Sequence, residues 1–112
     1  MIKRLAILGL MLGSIGNAWA GYGVGDVGKV LVGRMGNQVY VELLNLSVTG
    51  WPCATTHPAG FRYAFLLDAP GGKEMLATVL AAKASGRQLQ IVDSGGCTID
   101  ASLANTSYVV EL

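Results

Sequence analysis

The period at which apolar residues recur changes along the chain, and each change marks an element. Residues 38–44 alternate strictly, with Val39, Val41 and Leu43 on one face and Gln38, Tyr40 and Glu42 on the other. That pattern predicts a half-buried antiparallel strand. Residues 29–34 read as its partner, joined by a Met35-Gly36-Asn37 turn in which Gly and Asn supply positive φ. A glycine-rich opening (Gly21, Gly23, Gly25, Gly28) precedes the pair. After a long connection over 45–60, rich in Thr, Pro, Gly and Ser, residues 61–67 predict a third strand. Its aromatic residues Phe61, Tyr63 and Phe65 share one face.

Beyond Pro70-Gly71-Gly72 the period lengthens. Residues 73–85 consist largely of good helix formers, and Met75, Leu76, Val79 and Leu80 make one apolar stripe. Glu74 in the first turn and Lys83 in the last match the sign of the helix dipole. Gly86 is placed to end the helix in the left-handed conformation. Alternation returns over 87–92, with Leu89 and Ile91 inward. Residues 93–96 then read as a turn and 98–106 as a loop. The closing strand is 107–112, where Tyr108, Val110 and Leu112 alternate with Val109 and Glu111.

Five strands with one helix between the third and fourth is the element order of the OB-fold. The expected fold is therefore mainly β with one helix: a five-stranded Greek-key barrel, order β-β-β-α-β-β, whose helix plugs one end. An open α+β sheet with the helix across one face is the competing architecture. Closure is favoured because it removes strand edges that a domain of this size would otherwise leave bare.

The first twenty residues carry a different signal. Lys3 and Arg4, an apolar run over 5–12 and the small-x-small triplet Ala18-Trp19-Ala20 have the layout of a cleavable export leader. Gly9, Gly13 and Gly16 interrupt the run, which is too short to span a bilayer comfortably. No cysteine follows it, so a lipid anchor is not expected. The mature chain would be residues 21–112, a single domain of 92 residues, periplasmic or secreted, with no membrane span after cleavage.

Losing Lys3 and Arg4 leaves six basic against seven acidic residues, a net charge of −1. The six (Lys29, Arg34, Arg62, Lys73, Lys83 and Arg87) are spread singly and form no basic stripe, which argues against nucleic acid as a partner. Export also decides how Cys53 and Cys97 are read. In an oxidising compartment they are expected to form a disulfide enclosing 43 residues, worth about 4 kcal/mol in loop-closure entropy. No C-x-x-C spacing points to redox chemistry. One difficulty attends the pairing. The simplest drawing of such a barrel sends the second and fourth connections to opposite ends.

The stretches Arg62-Tyr63-Ala64-Phe65, Gly72-Lys73-Glu74-Met75-Leu76, Leu80-Ala81-Ala82-Lys83-Ala84-Ser85-Gly86 and Gly95-Gly96-Cys97 resemble a group of short exported proteins of Gram-negative bacteria. In helix and cysteine placement these are similar to the receptor-binding B subunit of subtilase-type AB5 toxins. The resemblance covers about a third of the chain. Those subunits are OB-fold pentamers that bind sialylated glycans; the resemblance is a signature of the scaffold rather than of the ligand, and it implies an OB-fold and a glycan-binding homo-oligomer of that kind. It carries over no sugar-contacting residue. Where such proteins have a Trp-Gly-Asp run after the second cysteine, this chain has Thr98-Ile99-Asp100-Ala101.

Catalytic signals are weak. His57 is the only histidine, and no spacing ties it to a partner such as Asp93 or Asp100. The acidic residues are scattered, so no carboxylate pair for glycoside hydrolysis is implied. Gly71-Gly72-Lys73 does not meet the phosphate-loop pattern. Asn45-Leu46-Ser47 and Asn105-Thr106-Ser107 match the glycosylation acceptor pattern, which carries no weight in a bacterial exported protein. One His with two paired cysteines falls short of a zinc site, and neither metal nor cofactor is expected.

Trp51 is the more promising residue. With Thr55, Thr56 and His57 behind it, it offers a ring for stacking on a sugar and polar groups for the rim, in which case its loss would leave stability nearly unchanged. The competing reading packs it on the disulfide or as a cap on the barrel. Tyr40 and Arg62, on the exposed side of the second and third strands, are further candidates, since OB-folds bind oligosaccharides or oligonucleotides there and on the flanking first and fourth loops. The expectation is a non-catalytic exported binding module taking a glycan or protein ligand. The alternative is a periplasmic structural or interaction protein such as an inhibitor or envelope factor.

Overall fold

The glycine-rich opening is strand. In the computed structural model, which describes residues 21–33 and 37–112, the first strand, β1, runs Tyr22–Val32. The expected leader and most of the 35–37 turn lie outside the described residues. Where 29–34 was expected to be strand, pairing begins seven residues earlier because glycine is what close approach demands: a Cβ on Gly23 would collide with the Tyr63 hydroxyl. The second strand, β2, spans Gln38–Thr49 rather than stopping at 44, and pairs antiparallel with β1. Two register shifts interrupt the ladder. One sets Asn45 and Leu46 against Gly25, with Asn45 at φ 53; the other sets Gly28 and Lys29 against Glu42, whose carboxylate accepts the Lys29 N–H at 3.0 Å. Such bulges add the bend and twist that closing a ring of few strands requires.

The third strand, β3, is only Tyr63–Leu66. A helix, α1, follows at Gly72–Ser85, then β4 at Gln88–Asp93 and β5 at Ala104–Glu111. The element order is the expected one, and the strands close into a ring, β1-β2-β3-β5-β4. The open sheet is thereby excluded. The sheet is mixed, because β3 and β5 run parallel over Tyr63↔Ala104 and Ala64↔Asn105. These are the first residues of both strands, so the connections entering them (50–62 and 94–103) arrive at one end of the barrel. The supposed obstacle to the disulfide disappears. Cys53 and Cys97 are bonded, with Cα atoms 5.9 Å apart.

The barrel core holds Val39, Val41 and Leu43 from β2, Tyr63 and Phe65 from β3, Leu89 and Ile91 from β4 and Ala104 from β5, with Val79 and Ala82 of α1. The inward positions read for β2 and β4 are therefore buried. Three expectations are corrected. Phe61 does not share a face with Tyr63 and Phe65; it precedes β3 and joins Ala64 and Leu103 in a separate small cluster on the barrel's outside. Leu80 is 46% exposed and Ala82 takes the inward place, since α1 meets the barrel along Gly72, Val79 and Ala82. Asp93 is the buried last residue of β4, not part of a turn. Gly86 ends the helix at φ 70, its N–H reaching the Ala82 and Lys83 carbonyls, as read.

Tyr63 is fully buried, and its hydroxyl has no hydrogen-bond partner. Burial first, then the charge of Asp93, pushes its pKa up to about 12, with Arg62 pulling the other way. The folded state thus holds the phenol proton more tightly than the unfolded chain does. That stability is complete below pH 10 and is lost as pH rises through about 12. Tyr63→Phe removes an unpaired buried hydroxyl and is expected to raise stability at pH 7 by about 1 kcal/mol. It should also flatten the decline between pH 10 and 12, which thermal melts across that range will check.

Candidate functional site

The convergence that permits the disulfide also builds a cluster of aromatic and polar side chains on the surface. Tyr40 alternates with the buried Val39 and Val41, so its ring lies outside the barrel, packed with Ile99 on the cluster of Phe61, Ala64 and Leu103. His57 enters from the 50–62 connection, where a tight turn returns the chain. The Gly60 N–H donates to the His57 carbonyl and the Ala59 N–H to His57 Nδ1, each at 3.0 Å. Accepting at Nδ1 places the proton of a neutral imidazole on Nε2. The His57 ring meets Phe61 edge-on at 5.5 Å and Tyr40 at 6.0 Å, and Tyr40 meets Phe61 at 5.9 Å. Lys29 closes one side, its ammonium 5.3 Å from the Phe61 centroid and donating to the Ala59 carbonyl at 2.8 Å.

The acidic member is Asp100, from the 94–103 connection. Its Oδ1 accepts the Ser102 N–H at 2.9 Å and the Ser102 hydroxyl at 2.6 Å, an Asx turn that fixes the carboxylate. These two bonds, the hydroxyl's first, hold its pKa below the ordinary carboxylate range. The carboxylate acts in turn on Tyr40. Its hydroxyl is pushed above its ordinary range by burial first, then by the nearby charge of Asp100. Three segments far apart in sequence thus present a phenol, an imidazole and an ionised carboxylate side by side.

No family model, curated protein or solved structure matches the chain. The site must therefore be read from its own geometry. Among the described residues, no group of three or more His, Cys, Asp and Glu is placed to hold a metal, and no helix is long and apolar enough to cross a membrane. The disulfide is compatible with an oxidising, exported environment.

The residues singled out from sequence separate into three groups. Tyr40 and His57 meet in the cluster just described. Trp51 and Arg62 meet each other elsewhere: the guanidinium lies 4.3 Å over the indole, and the indole packs edge-on against Tyr63 at 5.7 Å. Trp51 is only partly exposed and its Nε1 is buried without a partner. The ring packs against the main core, which is the competing reading of this residue, so its removal is expected to cost stability. Thr55 and Thr56 are exposed on the connection. Asp93, weighed as a partner for His57, lies apart from the cluster, its Oδ1 accepting the Gly21 and Gly95 N–H groups.

Phe61, Lys29 and Ser102 were missed. The Asp100-Ala101-Ser102 spacing was the one available signal, since Asp followed two residues later by Ser favours an Asx turn. Two open clefts, of about 310 and 250 Å³, also escaped the sequence. They adjoin across Pro70, Met75 and Ser107 beside the start of α1, and neither is lined by a residue singled out beforehand.

Proposed function

We propose that the protein is a non-catalytic, exported binding module on an OB-fold barrel, and that it takes a glycan on the outer face of β2 and β3. The observation that carries this reading is the meeting of Tyr40, His57 and Asp100 over Phe61. In OB-folds the face of strands two and three, with the connection between strands four and five, is the customary surface for oligosaccharides and oligonucleotides, and the absence of a basic stripe favours the former. Here that connection supplies Asp100. Aromatic edges beside an imidazole N–H and a fixed carboxylate suit a ligand with apolar ring faces and many hydroxyls. The resemblance to AB5 toxin B subunits supports the same class.

A glycan array probed with the exported protein tests it. Tyr40→Ala and His57→Ala are expected to weaken the strongest signal at least tenfold, about 1.4 kcal/mol. Thr78→Ala, on α1 and away from the face, should leave it unchanged. Wild-type protein that binds no sugar on the array would end the proposal.

One observation favours the second reading, a protein–protein role. On the outer face of β1, β4 and β5, Tyr22, Val92 and Tyr108 stand in register, with Val24, Gln90 and Val110 beside them. Tyr108 is 53% exposed and Val110 37%. Contiguous exposed apolar rows of this kind mark association surfaces. Light scattering that finds an oligomer, dispersed by Tyr108→Glu, would assign the row to a second copy of the chain.

A further inference from the structure

We infer that Asp93 is the built-in acceptor for the α-ammonium group that leader cleavage creates on Gly21. This rests on the export reading above and adds to it a site that cleavage completes. Asp93 is 2% exposed at the end of β4, and its Oδ1 lies 3.2 Å from the backbone nitrogen of Gly21. The reverse bond, Asp93 N–H to the Gly21 carbonyl at 3.0 Å, fixes both residues in place. The remaining bond to Oδ1 comes from the Gly95 N–H at 2.9 Å. Among the described residues no lysine or arginine nitrogen lies within 4.0 Å of the carboxylate.

A buried carboxylate held by amides alone is an unusual choice, because a buried charge without a counter-charge is costly. The neighbouring nitrogen is the one that processing would change. Hydrolysis by a leader peptidase breaks the Ala20–Gly21 amide. Water's hydroxyl goes to the Ala20 carbonyl carbon and its hydrogen to the Gly21 nitrogen. At neutral pH the new acid's proton passes to the amine, which leaves a carboxylate on the departing peptide and an ammonium on Gly21. A neutral amide donor thereby becomes a charged one at hydrogen-bond distance, and charge-assisted bonds are roughly twice as strong as neutral ones.

The residue type agrees with the role. A Cβ at position 21 would strike the backbone carbonyl oxygens of Thr49 and Gly50, so only glycine lets the first mature residue seat against β2. Two independent requirements thus fall on one residue. The leader pattern places the cut before Gly21, and the fold places a buried acid against its nitrogen. Cleavage one residue to either side would put the charge elsewhere.

The test uses the full chain, exported with its leader, and a variant with one alanine inserted between Ala20 and Gly21, so that processing leaves a one-residue extension. Mass spectrometry of the purified proteins first establishes each start. The protein starting at Gly21 is expected to melt roughly 4–8 °C above the extended one. Asp93→Asn should lower the melting temperature of the former and leave the latter nearly unmoved. If Asp93→Asn does not accumulate, the comparison of the two starts still decides. Equal melting of both would overturn the ion pair while leaving export intact. A natural start other than Gly21 would overturn the maturation step itself.

Discussion

Breaking the Cys53–Cys97 bridge, by reduction or by replacing both cysteines with alanine, is expected to destabilise the protein by about 4 kcal/mol. The cross-link closes a loop of 43 residues, and the unfolded chain regains that freedom when it is cut. For a domain of this size the melting temperature should fall by roughly 15–30 °C. Position makes the bridge matter more than its loop length alone. The barrel closes between β3 and β5, where the parallel register holds only two residue pairs, while β1 and β2 share eight. The bridge ties the two connections that enter this short seam. A reduced protein melting within 5 °C of the oxidised one would show that the seam stands unaided.

Gly72→Ala is expected to cost about 3 kcal/mol, the upper end of what overpacking a fitted site costs. Gly72 is buried at the start of α1, and its N–H donates to the Ala69 carbonyl at 2.9 Å. A Cβ there would strike the Leu66 carbonyl oxygen and lie 2.8 Å from Leu67 Cα. Both obstacles are backbone, so either the helix or the end of β3 has to shift. The adjacent Gly71 is the control. It is left-handed at φ 79, but nothing lies within 4 Å of its missing Cβ. Gly71→Ala should therefore cost only the conformational strain, about 1–2 kcal/mol. If thermal melts show equal losses, the close packing of α1 on the β3 turn is not what Gly72 serves.

Much of the fold was legible because each element has its own period. Val39, Val41 and Leu43 gave β2 its face, and the helix formers of 73–85 with Gly86 gave α1 its end. Strand boundaries were not legible at Gly23 and Asn45. Glycine and asparagine disfavour strands locally, and what overrode that preference was a partner they meet only after folding: Tyr63 for the first, the bulge opposite Gly25 for the second. The site divided in the same way. Tyr40 and His57 could be named from residue type and exposure. Asp100, Phe61 and Lys29 could not be joined to them, because that requires knowing that the connections entering β3 and β5 arrive together. Which of its two readings holds for Trp51 was open for a related reason, since its surroundings are set by Arg62 and Tyr63, eleven and twelve residues further on.

The small outer cluster of Phe61, Ala64 and Leu103 leaves β3 covered on both sides, with Tyr63, Ala64 and Phe65 each 2% exposed or less. The floor beneath Tyr40 and His57 is thus made of residues the barrel needs in order to exist. Changes there would be paid in foldedness before they altered recognition. Substitutions at exposed rim positions such as Thr55 and Thr56, by contrast, leave that floor intact.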